Sequence, residues 1–309
     1  MDIYPLGPPV YRHPSVADIM GWSGRTMQRA GFRDNTPQAN PLDREATMPL
    51  DTALIGALHV EYLKRRDLDG GGERLHHTLF QTSTVDALLE GRYDGDVSFA
   101  ELADRGDFGL GTFDALDGEM IALDGDFHGV RADGRAYPIG GRERTPFAVV
   151  TFFEPNLSLT LDTPMNLKTL CSRLDHLVGG EASCYAVRLD GTFDHVKTRS
   201  VPRQKKPYPP LAEVVKHQPT FELREVSGSL IGFRFPLHAQ GLNVAGYHFH
   251  FITGDRSAGG HVLEIGLIPG ELQIDAEADL RLELPPGVAL PTPDTTDAKK
   301  EALDRIEGE

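Results

Sequence analysis

Short helical patterns interleave with a larger number of apolar, strand-like stretches bounded by turn signals, so the chain predicts mixed α and β layers. HTLFQTS, residues 77–83, reads as a strand, and TVDALLEGRY, 84–93, as a helix. SFAELADRG opens with Ser98 and Glu101, a capping box, and predicts a second short helix. The stretch 108–137 carries Asp-Gly at 117–118, 124–125 and 133–134 between apolar runs, the pattern of a hairpin meander. PFAVVTFFE, 146–154, is a nearly continuous apolar run, broken only by Thr151 and the closing Glu154, as a strand covered on both faces requires. Thr163-Pro164 predicts a helix start running on to Val178. A further Asp-Gly, at 190–191, predicts another hairpin within 183–201, and Pro209-Pro210 a short helix over 209–218. TFELREVSGSLIGFRFP, GYHFHFI, HVLEIGLI and ELQIDAEADLRLEL read as strands, and the final DAKKEALDRIEGE as a short helix or tail.

The N-terminal part differs. Residues 1–50 are polar and proline-rich without periodicity, and DTALIGALHVEYLKRR, 51–66, reads as a helix begun by Asp51 or Thr52. The expected organisation is an N-terminal extension over 1–75, a mixed β-sheet domain over 76–165, a β domain over 166–284 and a tail over 285–309.

Composition narrows the partners. The chain has 309 residues, 39% hydrophobic and 25% charged, with a formal net charge of −15. That charge argues against nucleic acid or an anionic membrane as partner, since both attract basic surfaces. The first residues lack the basic-then-apolar pattern of a secretory signal, and no apolar run is long enough to span a bilayer. Cys171 and Cys184 form neither a disulfide framework nor a C-x-x-C motif. These features predict a cytoplasmic protein.

Candidate chemistry centres on GYHFHFITGDRSAGGHV, 246–262. On a strand His248 and His250 share one face, about 7 Å apart, while Tyr247, Phe249 and Phe251 share the other. A hairpin through TGDRSAGG brings His261 back beside them if its register is even. Three converging imidazoles with open positions are a catalytic zinc arrangement. Surface or packing histidines are the alternative. A cupin-type metal site also uses H-x-H, but the positions where its glutamate belongs hold Gly254 and Asp255.

Longer motifs decide between these readings. TSTVDALLEGRYDGDVSFAEL, GDFGLGTFDALDGEMIALDGDF, TPFAVVTFFEPN, RLDGTFDHVKTRSVPRQKKPYPPL and GYHFHFITGDRSAGGHVLE, spread in order over 76–284, closely resemble the alpha-acetolactate decarboxylase family. The resemblance implies an α/β, two-domain mixed β-sheet fold with the metal site on a β-hairpin of the C-terminal domain. It implies a zinc enzyme that converts 2-acetolactate, a 2-hydroxy-3-keto acid, to acetoin and carbon dioxide through a metal-stabilised enediolate. Acetoin and butanediol biosynthesis is the implied context. The family's ligands fall on His248, His250 and His261, its L-D-G-E glutamate on Glu119 and its T-R-x-V arginine on Arg199. Thr112 in G-T-F is implied to line the substrate pocket, and Glu307 best matches a C-terminal glutamate that enters the site, ahead of Glu301 and Glu309. Two proton donors stay open, Glu119 with a raised pKa or a water on the zinc. A protein that kept the fold and lost the chemistry is the non-enzymatic alternative. Residues 1–75 depart from the family pattern; packing on the body, self-association into a homodimer and partial disorder are the three readings of them.

Overall fold

Asp-Gly turns and buried apolar strands build the first of two large sheets. The structure, a computed structural model, describes residues 59–63, 75–178 and 183–290. In chain order the first part comprises β1 (His59–Leu63), β2 (Thr78–Thr82), α1 (Val85–Leu89), β3 (Val97–Ser98), α2 (Phe99–Ala103), β4 (Phe108–Thr112), β5 (Glu119–Leu123), β6 (Asp126–Val130), β7 (Ala136–Pro138), β8 (Arg144–Thr145) and β9 (Ala148–Thr151). Ser98 and Glu101 form the expected capping box at α2. Asp124 and Gly125 both take positive φ and join β5 to β6 as a two-residue hairpin loop. Strands β2, β4, β5 and β9 are buried along their whole length, which explains their scarcity of alternating polar residues.

The second part comprises β10 (Leu157–Leu161), β11 (Met165–Asn166), α3 (Leu167–Val178), β12 (Cys184–Arg199), α4 (Leu211–Val214), β13 (Thr220–Phe235), β14 (Gly246–Thr253), β15 (Gly259–Glu277) and β16 (Asp279–Glu283). The first sheet has the order β1-β16-β2-β9-β4-β5-β6-β7, so β16 returns to it. Its β16 runs parallel to β1 and β2. The second sheet has the order β10-β15-β12-β13-β14, and β14 also pairs β15, so four long strands close on themselves. Phe193, Phe249 and Phe251 fill that closed sheet, with Leu170 and Leu174 of α3 in the same cluster. A further core joins Leu110 and Ile121 of the first sheet to Ile231, Phe233 and Ile252 of the second. No helix among the described residues is long and apolar enough to cross a membrane.

Four local expectations are corrected. Within 51–66, residues His59–Leu63 form a strand, not a helix; the rest of that stretch lies outside the described residues. Val60 and Tyr62 alternate within the helical pattern, and pairing with β16 decides for the strand. The helix expected from Thr163-Pro164 begins at Leu167, because Met165 and Asn166 first pair with β15. Asn166 caps it, its Oδ1 accepting from the Thr169 N–H at 2.9 Å. Asp190-Gly191 is no turn: β12 runs unbroken through it, with Gly191 opposite Gly228 and Gly270. A Cβ on Gly191 would lie 3.2 Å from the Gly270 Cα, so this glycine serves close backbone approach. Pro269 likewise fails to split β15, because the ladder with β12 skips from Leu267 to Gly270 there and its missing N–H is not needed.

Candidate metal centre

The β14–β15 hairpin sets His250 directly opposite His261, and the period of two puts His248 on the same face. Phe249 and Phe251 go to the core on the other side. The three imidazole rings lie with centroids 4.9, 5.1 and 5.5 Å apart. Gly260 makes the approach possible: its φ is +135°, and a Cβ there would sit 2.5 Å from the Arg199 carbonyl oxygen.

The donor atoms fit a metal ion. One nitrogen from each of the three histidines lies within 4.8 Å of the others. Ligand bonds of about 2.0–2.1 Å in a tetrahedral site place nitrogens about 3.3 Å apart. His248 Nε2 and His261 Nδ1 are 3.0 Å apart. His250 Nδ1 stands 2.9 Å from the Met120 carbonyl oxygen. A carbonyl only accepts, so Nδ1 carries the proton and Nε2 presents its lone pair; such an anchored ring is a metal-ligating arrangement. That buried Nε2 has no hydrogen-bond partner. Burial, with the Arg199 charge second, pushes His248 down to about 3. Burial also holds His250 well below the ordinary range, helped by His248 and Arg199. Neutral imidazole is the form that ligates.

Glu119 and Arg199 meet beside this group. Arg199 ends β12 opposite His261, while Glu119 begins β5 opposite Thr112. The Arg199 guanidinium donates to Glu119 Oε1 at 3.0 Å, with side chains only 6% and 8% exposed. Glu119 Oε2 is 3.6 Å from His250 Nε2. Gly118 delivers the carboxylate at φ +107°, where a Cβ would meet the Val130 carbonyl at 2.3 Å. Thr112 Oγ1 donates to the Gly118 carbonyl at 2.7 Å and so pins that turn.

Thr112, Glu119, Arg199, His248 and His261 line a cavity of about 50 Å³ together with Val85, Leu88, Leu116, Phe147, Val201, Leu211 and Val244, which all belong to one hydrophobic cluster. Six of the seven sequence-derived site residues therefore gather around one point, and Glu307 lies outside the described residues. Sequence reasoning missed the Met120 carbonyl, which has no side-chain signature. It also missed the apolar wall from α1 and α4, whose residues read as ordinary core.

Two packed β-sheets with a three-histidine group and a buried Arg–Glu pair around a small cavity define a small-molecule enzyme. Its relatives name the class of reaction. The sequence model of the alpha-acetolactate decarboxylase family matches residues 79–289. An alpha-acetolactate decarboxylase of Methylococcus capsulatus is 47% identical over 231 residues, 75% of this chain and 89% of that one. One of Methanosarcina mazei is 50% identical over 207 residues, 67% of this chain and 72% of that one. The crystal structure of alpha-acetolactate decarboxylase from Bacillus subtilis superposes with a TM-score of 0.71 at 38% identity, covering 75% of this chain and all of that one. The chain belongs to the alpha-acetolactate decarboxylase family and is a carboxy-lyase.

Proposed function

We propose that the chain decarboxylates 2-acetolactate to acetoin and carbon dioxide with a zinc ion held by His248, His250 and His261. One observation carries this reading: the three histidine donor nitrogens converge beside the buried Arg199–Glu119 pair. The bond to the carboxylate breaks, its electron pair moves toward the neighbouring ketone, and an enediolate remains. Protonation of the carbon that lost the carboxylate gives acetoin. When bound, the divalent ion supplies Lewis-acid stabilisation of the charge that develops on those oxygens.

The chain's own groups do the rest. The planar fork of Arg199 binds and orients the substrate carboxylate or hydroxyl oxygen, keeping Glu119 as its other partner. Glu119, ionised beside Arg199 in the resting site, takes up the substrate hydroxyl proton and passes it to the carbon that lost the carboxylate, its position set by Gly118 and Thr112. The apolar wall excludes water from the carbanion-like intermediate. Glu307 is the tail carboxylate proposed to enter the site, and Thr112 a pocket residue. Donor chemistry supports zinc, since imidazole nitrogens suit it. Two free cysteines support a reducing cytoplasm. The test is product balance: purified protein given racemic 2-acetolactate is expected to release acetoin and carbon dioxide in equal amounts. Substrate consumed without acetoin would sink the assignment.

A further inference from the structure

The cavity beside the histidines is split by polarity. Its polar lining, here the floor, includes Glu119, Arg199, His248 and His261; its apolar lining, here the roof, comes from one hydrophobic cluster with Val85, Leu88, Leu116, Phe147, Leu211 and Val244. Its free space, about 50 Å³, amounts to a few water-sized positions. A substrate with its carboxylate, hydroxyl and ketone turned to the floor must press its alkyl groups into the roof. We propose that this roof, through Leu211 above all, sets the length of the alkyl arm accepted on the carbon that carries the carboxylate. The inference rests on the decarboxylase reading and adds the selection among 2-alkyl homologues.

Leu211 stands out from its neighbours by how it is held. Val85 is fixed by its own backbone: the Val85 and Asp86 N–H groups donate to the Leu242 and Gly241 carbonyls at 3.0 and 3.1 Å. Leu211 instead begins the four-residue α4, a single short turn in which the Val215 N–H donates to the Leu211 carbonyl. Its side chain is buried, with the residue 6% exposed, and meets the cavity and the α1 cluster rather than the interior of either sheet. Trimming it opens the roof while the strands that hold the floor keep their packing. Against a tight apolar wall one methylene changes kcat/KM on the order of 10- to 200-fold.

The experiment compares kcat/KM for 2-acetolactate and for its homologue with ethyl in place of the 2-methyl group. It uses the zinc-loaded full chain and its Leu211→Ala, Leu211→Val and Leu211→Phe variants. The unaltered chain is expected to favour the methyl substrate. Leu211→Ala is expected to move the ratio toward the ethyl substrate at least about tenfold, Leu211→Val by less, and Leu211→Phe the other way. Thermal unfolding and zinc content show which variants fold; the valine and phenylalanine variants decide the matter if the alanine variant does not. A ratio that stays constant across folded, zinc-loaded variants overturns the inference, as does a parallel loss on both substrates. If the unaltered chain turns over neither, the decarboxylase reading itself has failed.

Discussion

Replacing Glu119 by glutamine keeps the shape of the side chain and removes a charge 3.0 Å from the Arg199 guanidinium. Removing one partner of a buried ion pair costs about 3–5 kcal/mol, because the other charge is left uncompensated. Glutamine retains an oxygen that can accept from Arg199, which brings the expected loss to about 2–3 kcal/mol. For a body of this size each kcal/mol lowers Tm by about 2–4 °C, so a fall of about 4–12 °C is expected. Zinc binding should survive, because the three imidazoles are untouched. Turnover should fall about 10²- to 10⁴-fold, the range for losing a general acid or base. The assays are calorimetry, metal analysis and acetoin formation on the same preparation. Adding Arg199→Met removes the guanidinium that has lost its Glu119 partner, so the double variant should be more stable than Glu119→Gln alone. A Tm within about 1 °C of the parent together with undiminished turnover would refute the reasoning, since a pair buried this deeply cannot lose one charge without cost.

Two further outcomes follow from other parts of the chain. Glu277 is buried, and burial and then the charge of Asp275 hold its carboxyl well above the usual range; burial raises Asp275 to about 6. Raised folded values mean that the native state binds more protons than the unfolded one from about pH 4 upward, so stability falls as pH rises through that window. Glu277→Gln should flatten the decline, read as urea midpoints from pH 5 to 8, and an unchanged slope would rule Glu277 out as its source. Removing residues 301–309 should leave zinc bound and reduce turnover; full activity would exclude Glu307 from the site.

The period of two in GYHFHFI was enough to place two imidazoles on one face and two phenylalanines in the core, because alternation is a property of the strand itself. The Asp-Gly turn at 124–125 was legible for a similarly local reason. The same dipeptide at 190–191 misled, since β12 is held on both sides by β13 and β15 and no local signal reports those neighbours. His59–Leu63 was misread for the same reason: its partner β16 lies at the other end of the chain. Around the site, chemistry-bearing side chains could be named in advance. The Met120 carbonyl and the roof residues could not, because a backbone oxygen and a buried leucine look alike at every position.

The central claim is that the three histidines hold the zinc on which decarboxylation depends. Its most direct test is a zinc titration of the chelated protein with acetoin release from 2-acetolactate followed at each step. Activity that starts near zero, rises with added zinc and levels off at one equivalent per chain is the predicted result, with His250→Ala inert throughout. Turnover that survives chelation, or that returns in His250→Ala at the same equivalence point, would contradict the account.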